Sequence, residues 1–230
     1  MVEMTVEIPS ELRSSPAAHL AEEMEVAGVD GARGVRIREI PFLTMVGVRV
    51  VPGTPSATAV TELTGVNLPS RCGEVAGSAG DSSVLWLGPE EFLVVTVDEI
   101  RHVPGLDTRS DREPGALATL ATNHLAQRLI AVLGERGLPG QIVDLSANRT
   151  TLELSGPSAR SVLEKGCHVD LHPRSFGPGQ AVSTLLGPVP VVLWQTEDTT
   201  YRIMPRASFT DYTVRWLLDA MLEYSQVEVP

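Results

Sequence analysis

Residues 143–176 read VDLSANRTTLELSGPSARSVLEKGCHVDLHPRSF, and the order of residue types along them dictates a strand followed by a short helix. Thr150–Leu154 has the threonine- and leucine-rich composition of a strand. Gly156-Pro157 then opens a helix, because proline's fixed φ suits a first helical turn; Ala159, Val162 and Leu163 share one side of it and Gly166 closes it. The same order occurs upstream. Phe42–Val51 is an apolar, β-branched strand ending at Pro52, after which Thr54 and Pro55 start a helix that stops at Gly65.

Two local matches tie these units together. Pro55 to Gly65 runs into Val66-Asn67-Leu68-Pro69, and Pro157 to Gly166 runs on to Val169-Asp170-Leu171-His172-Pro173. Val84-Leu85-Trp86 likewise answers Val192-Leu193-Trp194. The reading is an α+β fold: two duplicated β-α-β-type subdomains with largely antiparallel sheets and helices packed on them. Its boundaries are a leader arm over 1–34, partly disordered and weakly helical at Ala17–Val26, a first α+β half over 35–140 and a second over 141–230. Together the halves make one compact pseudo-duplicated domain.

The remaining elements follow from turns and periodicity. Val84–Leu87 and Phe92–Val97 flank Gly88-Pro89-Glu90-Glu91 and read as a hairpin. Leu117, Leu120, Leu125, Leu129, Val132 and Leu133 form a core-facing helical stripe that stops near Gly134. Val182–Leu186, Val189–Trp194 and Tyr201–Met204 read as strands. Phe209–Tyr224 is the last helix, with Ser208 and Asp211 spaced as a capping box and Phe209, Tyr212, Trp216 and Ala220 along one face.

Composition narrows the function. Eighteen Lys and Arg against 29 Asp and Glu give a net charge of −11, which opposes binding to phosphate backbones and anionic lipid. No apolar run reaches the roughly 20 residues of a membrane span, and the start MVEMTVEIPSELRSS lacks a basic-then-apolar signal, so the expected location is the cytoplasm. Cys72 and Cys167 are expected to be free, buried thiols.

Candidate chemistry is sparse. Lys165-Gly166-Cys167-His168-Val169-Asp170-Leu171-His172 gathers metal-ligand types, yet no second Cys or His pair completes a tetrahedral site. The simpler reading is a turn in which Asp170 accepts backbone hydrogen bonds and His172-Pro173 starts a loop. Cys167 and His168 are neighbours, so in extended chain they point to opposite faces and make a poor nucleophile-base pair. No glycine-rich phosphate cradle is present. Asp144-Leu145-Ser146-Ala147-Asn148-Arg149-Thr150 sets a polar segment between apolar strands. Arg149 either pairs internally, for instance with Asp144, or offers its planar fork to a partner. Asp144, Asn148, Arg149 and Trp86 are therefore the candidate interface or structural anchors, with no catalytic, cofactor-binding or metal residue expected on this chain.

Arg38-Glu39-Ile40-Pro41-Phe42-Leu43-Thr44, Leu85-Trp86-Leu87-Gly88-Pro89-Glu90-Glu91-Phe92-Leu93, the stretch 143–176 and Ser208-Phe209-Thr210-Asp211-Tyr212 together resemble the gamma subunit of heterotetrameric sarcosine oxidase. That family is similar in fold to the folate-binding glycine-cleavage T-protein, itself a duplicated α+β unit. The resemblance implies a structural subunit without its own active site, partnered by alpha, beta and delta chains. Those chains would carry the cofactors: NAD and tetrahydrofolate on alpha, FAD on beta, FMN between them and zinc on delta. The implied reaction is oxidative demethylation of sarcosine to glycine, with the one-carbon unit passing to tetrahydrofolate and oxygen becoming hydrogen peroxide. The leader before Val35 and the connection from Asp98 to Pro114 depart from the family pattern. A related complex oxidising another N-methyl amino acid, a stand-alone folate-binding aminomethyltransferase-like protein and an unrelated α+β interaction module are the alternatives.

Overall fold

In chain order the elements are α1 (Ala21–Val26), β1 (Arg36–Glu39), β2 (Thr44–Arg49), α2 (Pro55–Thr64), β3 (Val75–Gly77), β4 (Ser83–Gly88), β5 (Glu91–Thr96), α3 (His124–Glu135), β6 (Gln141–Asp144), β7 (Leu152–Ser155), α4 (Ala159–Glu164), β8 (Gln180–Leu186), β9 (Val189–Glu197), β10 (Thr200–Pro205) and α5 (Thr210–Ser225). They come from a computed structural model that describes residues 14–97 and 123–225. The leader before residue 14, the connection from Asp98 to Pro114, and Leu117 and Leu120 of the expected stripe lie outside the described residues.

Several strands alternate between two apolar environments instead of between core and water. In β5, Phe92 and Val94 enter one cluster while Leu93 and Val95 enter another. In β9, Val191 and Leu193 face a third cluster and Val192 and Trp194 face the second. A period of two with both faces apolar requires cover on both sides of the sheet. The molecule meets that requirement with two five-stranded sheets, ordered β3-β4-β5-β2-β6 and β8-β9-β10-β7-β1, whose strand pairs are all antiparallel. Their facing sides share Leu43, Met45, Leu85, Leu93, Val95, Ala181, Val192, Trp194 and Met204. The outer side of the first sheet packs on α2 and α3, and that of the second on α1, α4 and α5. The result is mixed α/β with two antiparallel sheets.

The sheets also join edge to edge. Glu74 bridges Gln180, the amide of Val75 donates to Gly179 O at 3.1 Å, and that of Ala181 to Gly73 O at 2.9 Å. Each sheet draws one strand from across the 140/141 junction: β1 pairs with β7 in the second sheet, and β6 with β2 in the first. Residues 14–34 lie against the second sheet, burying Ala17, Leu20 and Met24 in its helical core. Glu39 ties them down by accepting from Ser15 Oγ at 2.5 Å and Ala17 N at 3.2 Å.

Local signals set most boundaries. Thr54 is extended at the entry to α2, Pro55 follows, and Gly65 closes the helix at φ 71°, in the left-handed region that favours glycine. The Thr54 hydroxyl, though, donates back to Val51 O instead of capping the helix. Gly88 pairs with Glu91, leaving Pro89-Glu90 as the hairpin turn. Three expectations are corrected. Helix α5 begins through a 3-10 turn at Ala207–Phe209, and Asp211 turns to His19 and Arg215, so no capping box forms with Ser208. Its buried face is Val214, Leu217, Ala220, Met221 and Tyr224 with Trp216 packed beside it, so Ala220 and Trp216 of the expected stripe hold, while Phe209 and Tyr212, at its start, are exposed. Cys72 is exposed on a loop, not buried, whereas Cys167 packs on the helical core, and both are free thiols.

Candidate functional site

The segment from Asp144 to Thr150 is where the chain leaves β6 of one sheet for β7 of the other. Its first part is consumed in holding that crossing. Asp144 Oδ2 accepts from Asn123 N at 2.7 Å and Oδ1 from Ser146 N at 2.9 Å. Asn123 in turn caps α3 by accepting from Ala126 N at 2.8 Å, and its amide donates to Ser146 Oγ at 3.1 Å. Ser146 Oγ also accepts from Met45 N, and Leu145 fills the space above Gly47, where a Cβ would come within 2.9 Å of Leu145 Cδ1. One carboxylate thus satisfies a helix entry and a turn, while the Ser146 hydroxyl satisfies the start of β2.

The second part faces outward. Asn148 is exposed and accepts through its carbonyl from Ala207 N at 2.8 Å. Arg149 is half-buried and donates from Nη1 to Met204 O at 2.9 Å. It pairs through the backbone with Arg206, not with Asp144, and among the described residues it has no carboxylate partner. Burial first, and the like charge of Arg206 second, lower the pKa of the Arg149 guanidinium. Arg149 lines an open pocket of about 410 Å³ with His168, Ser183, Thr184, Leu185, Pro190 and Val191. Thr150 points the other way, donating to Glu39 Oε1 at 2.6 Å. Trp86 is not in this group: it sits half-buried over the α2-α3 core, opposite Phe92.

The stretch Lys165–His172 folds as a bridge and a turn. Cys167 pairs with Leu186 and enters the core, while His168 goes to the opposite side and lines the Arg149 pocket. Asp170 accepts from His172 N at 2.9 Å and Ser175 Oγ at 2.6 Å, and these bonds, Ser175's first, hold its carboxyl below the usual carboxylate range. Among the described residues no group of three or more His, Cys, Asp or Glu converges as metal ligands do.

Sequence reasoning missed a row that crosses the second sheet. Arg38, Glu153, Arg202, Trp194 and Ala181 stand opposite one another on β1, β7, β10, β9 and β8. Glu153 Oε1 accepts from Arg38 at 2.5 Å, its Oε2 lies 3.7 Å from Arg202 Nε, and the Arg202 guanidinium lies 5.1 Å from the Trp194 ring centroid. Burial lowers the pKa of Arg202 while Glu153 opposes the shift. The signal for this row was the lone charge at the centre of Leu152-Glu153-Leu154 and of Tyr201-Arg202-Ile203, each sharing the face that meets the other sheet.

The comparisons with known proteins agree in direction. The family described as "Sarcosine oxidase, gamma subunit family" matches residues 118–223. The chain is 47% identical over 220 residues to the sarcosine oxidase subunit gamma of Corynebacterium sp. (strain U-96), covering 96% of this chain and 95% of that one. It is 45% identical to the subunit gamma of an Arthrobacter species, covering 95% and 94%. Among solved structures it is similar to a chain of heterotetrameric sarcosine oxidase from Corynebacterium sp. U-96 in complex with pyrrole 2-carboxylate, with a TM-score of 0.79, 46% identity and coverage of 95% and 100%. It shares a fold, at a TM-score of 0.55 and 14% identity, with the glycine cleavage system aminomethyltransferase T of Bartonella henselae, covering 90% of this chain and 57% of that one.

Proposed function

The chain belongs to the sarcosine oxidase gamma subunit family, and from that premise we propose that it is an assembly subunit of a heterotetrameric sarcosine oxidase and has no active site of its own. The observation that carries this reading is end-to-end similarity to a chain of such a complex, spanning 95% of this chain and 100% of that one. The chemistry of the Asp144–Thr150 segment supports it. Asp144 and Ser146 are engaged in backbone and capping bonds, and His168 lies on the opposite side of the chain from the Cys167 thiol.

In this reading the partners are alpha, beta and delta chains in the cytoplasm, and FAD, FMN, NAD, tetrahydrofolate and zinc are held on them. The assembly demethylates sarcosine oxidatively to glycine, passing the one-carbon unit to tetrahydrofolate and forming hydrogen peroxide. Asp144 acts as a structural anchor, Trp86 supports the outer core, and Asn148 and Arg149 face a partner. The corresponding strand orders, β3-β4-β5-β2-β6 and β8-β9-β10-β7-β1, favour descent of the two sheets from one duplicated unit, with β6 and β1 as equivalent fifth strands.

Co-expression with candidate alpha, beta and delta chains tests the reading. The expected result is a flavin-containing complex that retains this chain through size exclusion and loses assembly, not chemistry alone, when the chain is omitted. A full chain that stays monomeric beside those subunits, or that alone binds tetrahydrofolate at micromolar concentration, on the order of −8 kcal/mol, overturns it.

A further inference from the structure

The cationic pocket beside β8 and β9 is built but not balanced. Seven described arginines, at 36, 38, 49, 71, 136, 202 and 215, have a carboxylate within 4.0 Å. Arg149 has none among the described residues; Arg128, Arg174 and Arg206 also lack one but are exposed, and the half-buried Arg160 donates to Tyr201 Oη, so Arg149 stands apart as a half-buried guanidinium set beside a like charge, that of Arg206. A half-buried guanidinium next to a like charge is an unfavourable arrangement unless an anion relieves it. The surroundings suit an acid with a short apolar stem. Met204 O fixes one end of the Arg149 fork, leaving its other donors toward the pocket. Ser183, Thr184 and His168 supply polar groups around the opening, and Leu185, Pro190 and Val191 supply apolar wall. Leu185 is also one of the large apolar side chains left exposed.

We propose that this pocket receives an aspartate or glutamate side chain of another subunit of the assembly. Arg149 and Arg206 take the carboxylate, and Leu185, Pro190 and Val191 pack against its stem. The inference rests on the assembly-subunit reading and adds to it the location and chemistry of one contact.

The test compares wild-type full chain with Arg149→Met, which keeps length and apolar volume, in the co-expressed complex. Arg149→Met is expected to leave the thermal midpoint of the full chain alone within about 4 °C and to weaken its association with the other subunits at least about thirty-fold. Wild-type association is expected to fall with rising salt more steeply than that of the variant. In a second arm, Arg206→Lys places an amine on the residue bridged to Arg149, and zero-length carbodiimide coupling is expected to join it to an Asp or Glu of a different subunit. Equal association of wild type and Arg149→Met overturns the pocket assignment while the assembly reading stands, as does a cross-link between two copies of this chain. A wild-type chain that binds none of the other subunits overturns both.

Discussion

Removing Glu153 should strongly destabilise the inner face of the second sheet. Its side chain is 12% exposed and stands between Arg38, 73% exposed, and Arg202, 10% exposed. The Arg38 contact is a surface pair worth at most about 1 kcal/mol. Arg202 is different: without Glu153 its charge stays buried against Trp194 with no other anion in reach among the described residues. Breaking a buried pair from one side costs about 3–5 kcal/mol, so Glu153→Ala is expected to destabilise by roughly 3–4 kcal/mol. For a chain of this size that corresponds to a fall in melting temperature of about 6–15 °C. Arg202→Met should cost far less, about 1 kcal/mol, because it removes the buried charge and leaves Glu153 with its exposed partner Arg38. Urea unfolding of the full chain, followed by tryptophan fluorescence, measures both. If Arg202→Met costs as much as Glu153→Ala, or if Glu153→Ala stays within about 1 kcal/mol of wild type, the orphaned-charge reasoning is wrong.

Two further outcomes are expected. Leu93 is fully buried between the two sheets, so Leu93→Ala should lose about 3 kcal/mol by urea unfolding, whereas Ile130→Ala on the exposed side of α3 should stay within about 0.5 kcal/mol; equal losses would refute the inter-sheet core. Asp170 is held below its ordinary range by Ser175 and His172, so its contribution is present above the unfolded Asp range and lost as pH falls through the lowered folded value; the stability gap between wild type and Asp170→Asn, followed from pH 7 into acid, should therefore narrow, and a constant gap would contradict it.

Much of the local structure was legible because it depends on neighbours in sequence. Thr54-Pro55 and Gly65 bracket α2, Gly88-Pro89-Glu90-Glu91 turns a hairpin, and Asp170 folds back on His172 as its side chain can in any tight turn. The apolar, β-branched run Phe42–Val51 also announced a strand buried on much of both faces, and Val46 and Val48 do enter one cluster while Met45 enters another. The candidate site was half legible: an Arg and an Asp in one polar crossing were visible, but not which partner each would take.

What the sequence by itself determined, then, is where α2 and the β4-β5 hairpin begin and end and that strands such as β2 must be covered. Period, turn residues and helix signals act over a few positions, and no distant residue is needed to read them. Tertiary structure alone decided that β1 crosses to pair with β7, that β6 stays with β2, and that Phe209 and Tyr212 face outward. It also decided that Asp144 caps α3 through Asn123 while Arg149 donates to Met204 O beside Arg206 and meets no carboxylate among the described residues. Those outcomes depend on which surfaces of the whole chain bury one another, a sum over contacts far apart in sequence that no local pattern encodes.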